Sequence, residues 1–148
     1  MQGTNSIGHA FYPLTQGDVT RVMGFYPNNA YASILSSQPS EIHNNGGTMY
    51  HVSISKNQMA AVINYSNSPP STYSLSNYNC TDFAIAIASA GGLTLPSTTG
   101  STSVFGVMSF SGRNPGDLGQ DVRNMTLPTG VTRTTTKANA PAKEGGCP

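Results

Sequence analysis

The feature that most constrains this chain is the apolar run Phe83-Ala84-Ile85-Ala86-Ile87-Ala88, entered through Asn79-Cys80-Thr81-Asp82 and left through Ser89-Ala90-Gly91-Gly92. Its length and alanine content favour helix over strand, and the glycine pair stops it as a C-cap. Apolar character nearly all round predicts a central, buried helix. A cysteine therefore stands at the polar lip of the most buried element of the chain.

The rest of the chain has to supply what that helix packs on. At 148 residues it fits one domain with a loose end, large enough for one core. Residues 1–125 carry the periodic segments, and residues 126–148 form a polar, aperiodic tail expected to be extended or disordered. Gly8 to Leu14 belongs to a candidate strand starting at Ile7, and Thr15-Gln16-Gly17-Asp18 to a turn. A second strand, Val19 to Tyr26, completes a hairpin and stops at Pro27-Asn28-Asn29. Ala30 to Ser37 suggests a short helix, and Gln38 to Thr48, with Asn44-Asn45-Gly46-Gly47, a loop.

Met49 to Ser55 alternates with period two and predicts a strand, with Tyr50, Val52 and Ile54 on its apolar face. Ser55 then caps a helix to about Tyr65, with Met59, Val62 and Ile63 on one side, and Asn67-Ser68-Pro69-Pro70 ends it. Tyr73 and Leu75 suggest a brief extended piece. Leu93 onward reads as a Gly/Ser/Thr loop, and Asn114-Pro115-Gly116-Asp117 as the start of a helix reaching about Met125. The order predicts an α+β fold, a small antiparallel sheet packed against a central helix with the cysteine at its N-terminus.

Charge narrows the function classes. Only 9% of residues are charged and the net charge is +1. This is no electrostatic footprint for nucleic acid or an anionic membrane. No apolar run approaches the ~18 residues of a membrane span. The wealth of Ser, Thr, Asn, Gly and Tyr suggests an exported, loop-rich domain. Met1 to Gly8 shows neither a charged n-region nor an apolar h-region, so a signal peptide is not visible there. The two cysteines, Cys80 and Cys147, allow one bridge at most, which would tie the tail to the helix start. No C-x-x-C or H-x-x-x-H spacing occurs, so neither a metal nor another cofactor is expected.

Cys80 is the residue with chemistry to offer. Free N–H groups and the dipole at a helix N-terminus favour a thiolate. With a basic partner, such positions bring a cysteine pKa from about 8.5 to roughly 3.5–7.5. The same N–H groups could hold an oxyanion. The competing reading is a small buried core thiol. A histidine must take and return the proton. His9, in Gly8-His9-Ala10-Phe11, is the preferred partner, because Gly8 leaves room for close approach. His51 is the rival, able to orient His9 across the sheet; His43 and Glu41 are further candidates. Asn79 and Thr81 are candidates for substrate or oxyanion binding, although capping is the default role of an Asn at that place. Asn114 to Leu118 is expected to pack over the cleft.

Asn79-Cys80-Thr81-Asp82-Phe83 resembles the Asn-Cys-x-x-Phe signature of circularly permuted papain-like enzymes, the group that includes lecithin-retinol acyltransferase-like and some NlpC-like proteins. In that group a strand histidine precedes the helix cysteine, as His9 precedes Cys80. Gly8 to Phe11, Gly24 to Pro27 and Asn114 to Leu118 also resemble segments of a bacterial domain family found at the ends of large secreted or toxin-like proteins. The resemblance covers roughly residues 7 to 125. It implies a permuted papain-like fold and a cysteine hydrolase acting on a peptide-like amide such as peptidoglycan peptide. It also implies a secreted bacterial effector, with an immunity protein as a conceivable partner. The acyltransferase-like members place a polar residue, often His, on the strand after the base. Here the second strand offers Arg21 and Met23, which leaves the third position to His51, His43 or Glu41. Acyl transfer through the same acyl-enzyme, and a non-catalytic binding domain on the same scaffold, are the alternatives.

Overall fold

The computed structural model describes residues 8–29, 38–43, 50–104 and 107–134. It is a mixed α+β arrangement. A four-stranded antiparallel sheet has the order β1 (Phe11–Gln16), β2 (Val19–Pro27), β3 (Gln38–His43), β5 (Thr72–Tyr73). Two smaller antiparallel pairs accompany it, β4 (Tyr50–Val52) with β8 (Val131–Arg133), and β6 (Gly100–Val104) with β7 (Met108–Gly112). The helices among the described residues are α1 (Lys56–Asn67), α2 (Cys80–Ala90) and α3 (Pro115–Asn124). None is long and apolar enough to cross a membrane.

The hairpin forms because Gly17 takes a positive φ of 57° in a two-residue link, with Gln16 opposite Val19. The first strand runs from Phe11, since Gly8 adopts φ 73° and breaks the extended run; Ile7 lies outside the described residues. Thr15 and Gln16 are strand and not turn. Pro13 is tolerated because β1 is an edge strand.

Both buried faces are aromatic. Phe25 and Phe83, 0% and 1% exposed, stack at 4.9 Å and join β2 to α2. Tyr73 stacks on Phe25 at 5.4 Å, Tyr78 meets it edge-on at 5.7 Å, and Tyr65 of α1 lies 5.7 Å from Phe83. Ser55 caps α1 in a reciprocal capping box with Gln58. Of the three residues expected on the inner face of α1, Val62 is buried while Ile63 is 40% exposed. Ser66 takes the inner place instead, accepting from Tyr12 at 2.6 Å and donating to the Val62 carbonyl.

Three expectations need correction. Gln38–His43, read as loop, is a strand paired with β2, because the second edge of β2 offers a ladder that polar residues can satisfy. Gly100–Gly112, also read as loop, contains the β6–β7 hairpin; its Ser-rich strands carry too little apolar alternation to reveal it. The strand around His51 shrinks to Tyr50–Val52, and Val52 is 40% exposed rather than inward. It pairs with Val131–Arg133, a strand within the expected tail that Arg133 ties down by donating to the Val122 and Met125 carbonyls. The helix expected at 30–37, the Asn-Gly loop at 44–47 and Cys147 lie outside the described residues.

Candidate active site at the start of α2

Cys80 is the first residue of α2, and the helix begins there because Asn79 caps it. The Asn79 Oδ1 accepts from the Thr81 N–H at 2.8 Å, and Asp82 Oδ2 accepts from the Asn79 N–H at 3.0 Å. Asn79 Nδ2 donates to the Leu75 and Arg113 carbonyls, at 3.0 and 2.8 Å. The side chain considered for substrate binding is thus fully engaged in capping and in joining two loops to the helix. Thr81 is 1% exposed. Its hydroxyl makes no hydrogen bond of its own and lies close enough to the Cys80 sulfur to favour a thiolate.

The sulfur is surrounded by donors. The Ala10 and Thr81 backbone N–H groups and the Tyr73 hydroxyl all favour its thiolate. Burial acts the other way and dominates. Cys80 is a free thiol, 3% exposed, and desolvation pushes its pKa up. The lowering expected from the helix start is therefore overridden, because removing a thiolate from water costs more than these partial charges return.

His9 is the chain neighbour of Ala10. The His9 ring stacks on Tyr26 with centroids 3.9 Å apart and 18° between planes. It fills the space over Gly24, where a Cβ would stand 2.5 Å from His9 Nε2. Burial holds the His9 pKa down at about 4, so the imidazole is neutral at pH 7, and Nε2 is buried without a hydrogen-bond partner. Burial first, and then the Cys80 charge, push the Tyr26 phenol up to about 12. Cys80 and His9 are therefore a neutral thiol and a neutral imidazole rather than an ion pair. Gly24→Ala is expected to displace the His9 ring. The expected sign is a histidine titrating closer to its ordinary ~6.5 in NMR, with the domain still folded.

His51 does not join the four-stranded sheet whose first strand His9 precedes. It lies in β4, with its backbone opposite Thr132, so orientation of His9 across a shared sheet is not what this topology provides. The backbones of His43 and Glu41, by contrast, stand in β3 opposite Gly24 and Tyr26, the two residues that hold the His9 ring.

A strap closes the other side. Cys80 lines a cavity of about 20 Å³, room for one water, together with Tyr73, Phe110, Arg113 and Pro115. Gly112 passes so close to the 75–76 turn that a Cβ would stand 3.2 Å from the Ser76 carbonyl oxygen. Arg113 is pinned through its carbonyl to Asn79, and Arg113 Nη1 donates to Asp82 in an ion pair. Pro115 opens α3 behind the Asn114 cap and lies 3.5 Å from where a Gly8 Cβ would be. Of the 114–118 segment, Asn114 and Pro115 line this cavity. Tyr73 and Arg113 were not singled out from sequence; Tyr73 carried only a strand signal, and Arg113 adjoined a segment noticed for its helix cap. Among the described residues no cluster of His, Cys, Asp or Glu could hold a metal ion. Comparison of the chain with protein families, with curated proteins and with solved structures gives no match.

Proposed function

We propose that this domain is a cysteine hydrolase on a permuted papain-like scaffold, cleaving peptide-like amides through Cys80 and His9. The observation that carries the reading is His9 itself. Its buried Nε2 has no partner, while the backbone N–H of the very next residue, Ala10, favours the Cys80 thiolate. A buried, unpaired imidazole nitrogen costs about 1–3 kcal/mol, and work as a base accounts for that cost. In the proposed reaction Cys80 Sγ attacks the amide carbonyl as its proton passes to His9. The oxyanion collapses, the amine leaves with that proton, and an acyl thioester remains. Water, deprotonated by His9, then releases the carboxylic acid and restores the thiol. A neutral imidazole is the form able to accept a proton; the burial that holds His9 in that form also makes it a weaker base than a free imidazole. Peptidoglycan stem peptides are the first substrates to try, in keeping with the resemblance to secreted bacterial domains. An amine or alcohol in place of water would make the same site an acyltransferase.

One observation favours a non-catalytic binding domain instead, namely the 3% exposure and raised pKa of the thiol. Acyl trapping separates the two. Cys147→Ser protein is mixed with p-nitrophenyl acetate, and the adduct is located by peptide mass spectrometry. The hydrolase reading expects a burst of nitrophenol and an acetyl group on Cys80. An unmodified Cys80, with only slow nitrophenol release, would overturn the hydrolase reading and leave the binding domain in its place.

A further inference from the structure

The cavity beside Cys80 carries a selectivity element. Of the ten residues that line it, Arg113 alone bears a positive charge. The guanidinium is held in place at one end, where Nη1 pairs with Asp82, itself only 7% exposed. Asp82 is fully occupied in turn, since its other oxygen accepts from the Asn79 N–H. Arg113 Nε, however, is buried without any hydrogen bond. An arginine whose one nitrogen is anchored and whose Nε is left over is oriented, and its remaining N–H groups suit a planar carboxylate. The Arg113 side chain as a whole is 38% exposed, so the rest of its fork stays within reach of a ligand while the buried Nε still lacks a partner.

We infer that Arg113 is a specificity residue that receives a carboxylate of the acyl donor next to the carbon Cys80 attacks, so that the site selects anionic substrates. This rests on Cys80 being the nucleophile. His9 is uncharged at neutral pH, so it does not supply the same attraction, and the strap that carries Arg113 adjoins the sulfur through the shared cavity.

Two alkylating agents of nearly equal size test it. Iodoacetate and iodoacetamide both transfer a CH₂ carbon to the sulfur with loss of iodide, and they differ in a carboxylate against a neutral amide. Rates at Cys80 are measured by mass spectrometry in Cys147→Ser protein at pH 7.5 and divided by those of N-acetylcysteine. The expected result is an iodoacetate-to-iodoacetamide ratio at least about fivefold above that of the free thiol, falling as salt is added. Arg113→Gln alone strands the Asp82 carboxylate, so the companion variant is Asp82→Asn/Arg113→Gln, its folding checked by circular dichroism. In both variants the ratio should drop to within about twofold of the free thiol. A ratio equal to that of N-acetylcysteine in the native protein, or an excess that survives in the folded double variant, overturns the role of Arg113. Neither result would touch the acyl trapping at Cys80. Failure of both reagents to reach Cys80, with acyl trapping also negative, sinks the clamp and the hydrolase together.

Discussion

Cys80→Ala is expected to abolish acyl-enzyme formation altogether while the protein stays folded. The side chain lost is small, and the cap that starts α2 belongs to Asn79 and Asp82, not to the thiol. The stability change should therefore stay near 1 kcal/mol, the common size for a single substitution. His9→Asn should be less severe, about 10²–10⁴-fold in turnover, the usual contribution of a positioned base. The pH profile gives a second reading. Base catalysis requires neutral imidazole, which is lost as pH falls through the pKa of His9. Because burial has lowered that pKa to about 4, the acid limb of kcat/KM should lie near 4 and not near the unperturbed ~6.5. On the alkaline side the rate should keep rising past the ordinary thiol range, since the Cys80 pKa is raised. An acid limb at 6.5 that persists in His9→Asn would assign the base to another residue.

Phe25→Ala should have the largest effect on folding, about 3–5 kcal/mol of lost stability. That is a large part of the ~5–15 kcal/mol available to a domain of this kind. Phe25 is 0% exposed and meets Tyr73, Tyr78 and Phe83 at once, so its removal empties the joint between the sheet and α2. Its chain neighbours Gly24 and Tyr26 hold the His9 ring, so surviving folded protein should also lose His9 stacking. Urea unfolding of Phe25→Ala beside Val107→Ala measures it. Val107 is 83% exposed, and its truncation should cost less than about 0.5 kcal/mol. Equal midpoints for the two variants would show that the aromatic joint is not what holds the fold.

Local chemistry was enough to locate the main elements. A Ser before Lys56, an Asn before Cys80 and an Asn-Pro before Gly116 each name a helix start, because a cap is satisfied by groups two or three residues away. The hairpin at Gly17 follows from one residue that can take positive φ. Cys80 at a helix entrance and His9 near a strand start were readable for the same reason. What needed the tertiary structure is whatever depends on partners far along the chain. Gln38–His43 and Val131–Arg133 are strands because β2 and β4 present unpaired backbone to them, not because of their side chains. Arg113 meets Asp82 only through the path of the β6–β7 strap. The sign of the thiol shift was decided in the same way. A helix start favours a thiolate, but the Ala10 strand entry, Tyr73 and the Arg113–Pro115 segment enclose the sulfur, and desolvation, a property of the whole packing, outweighs the local dipole.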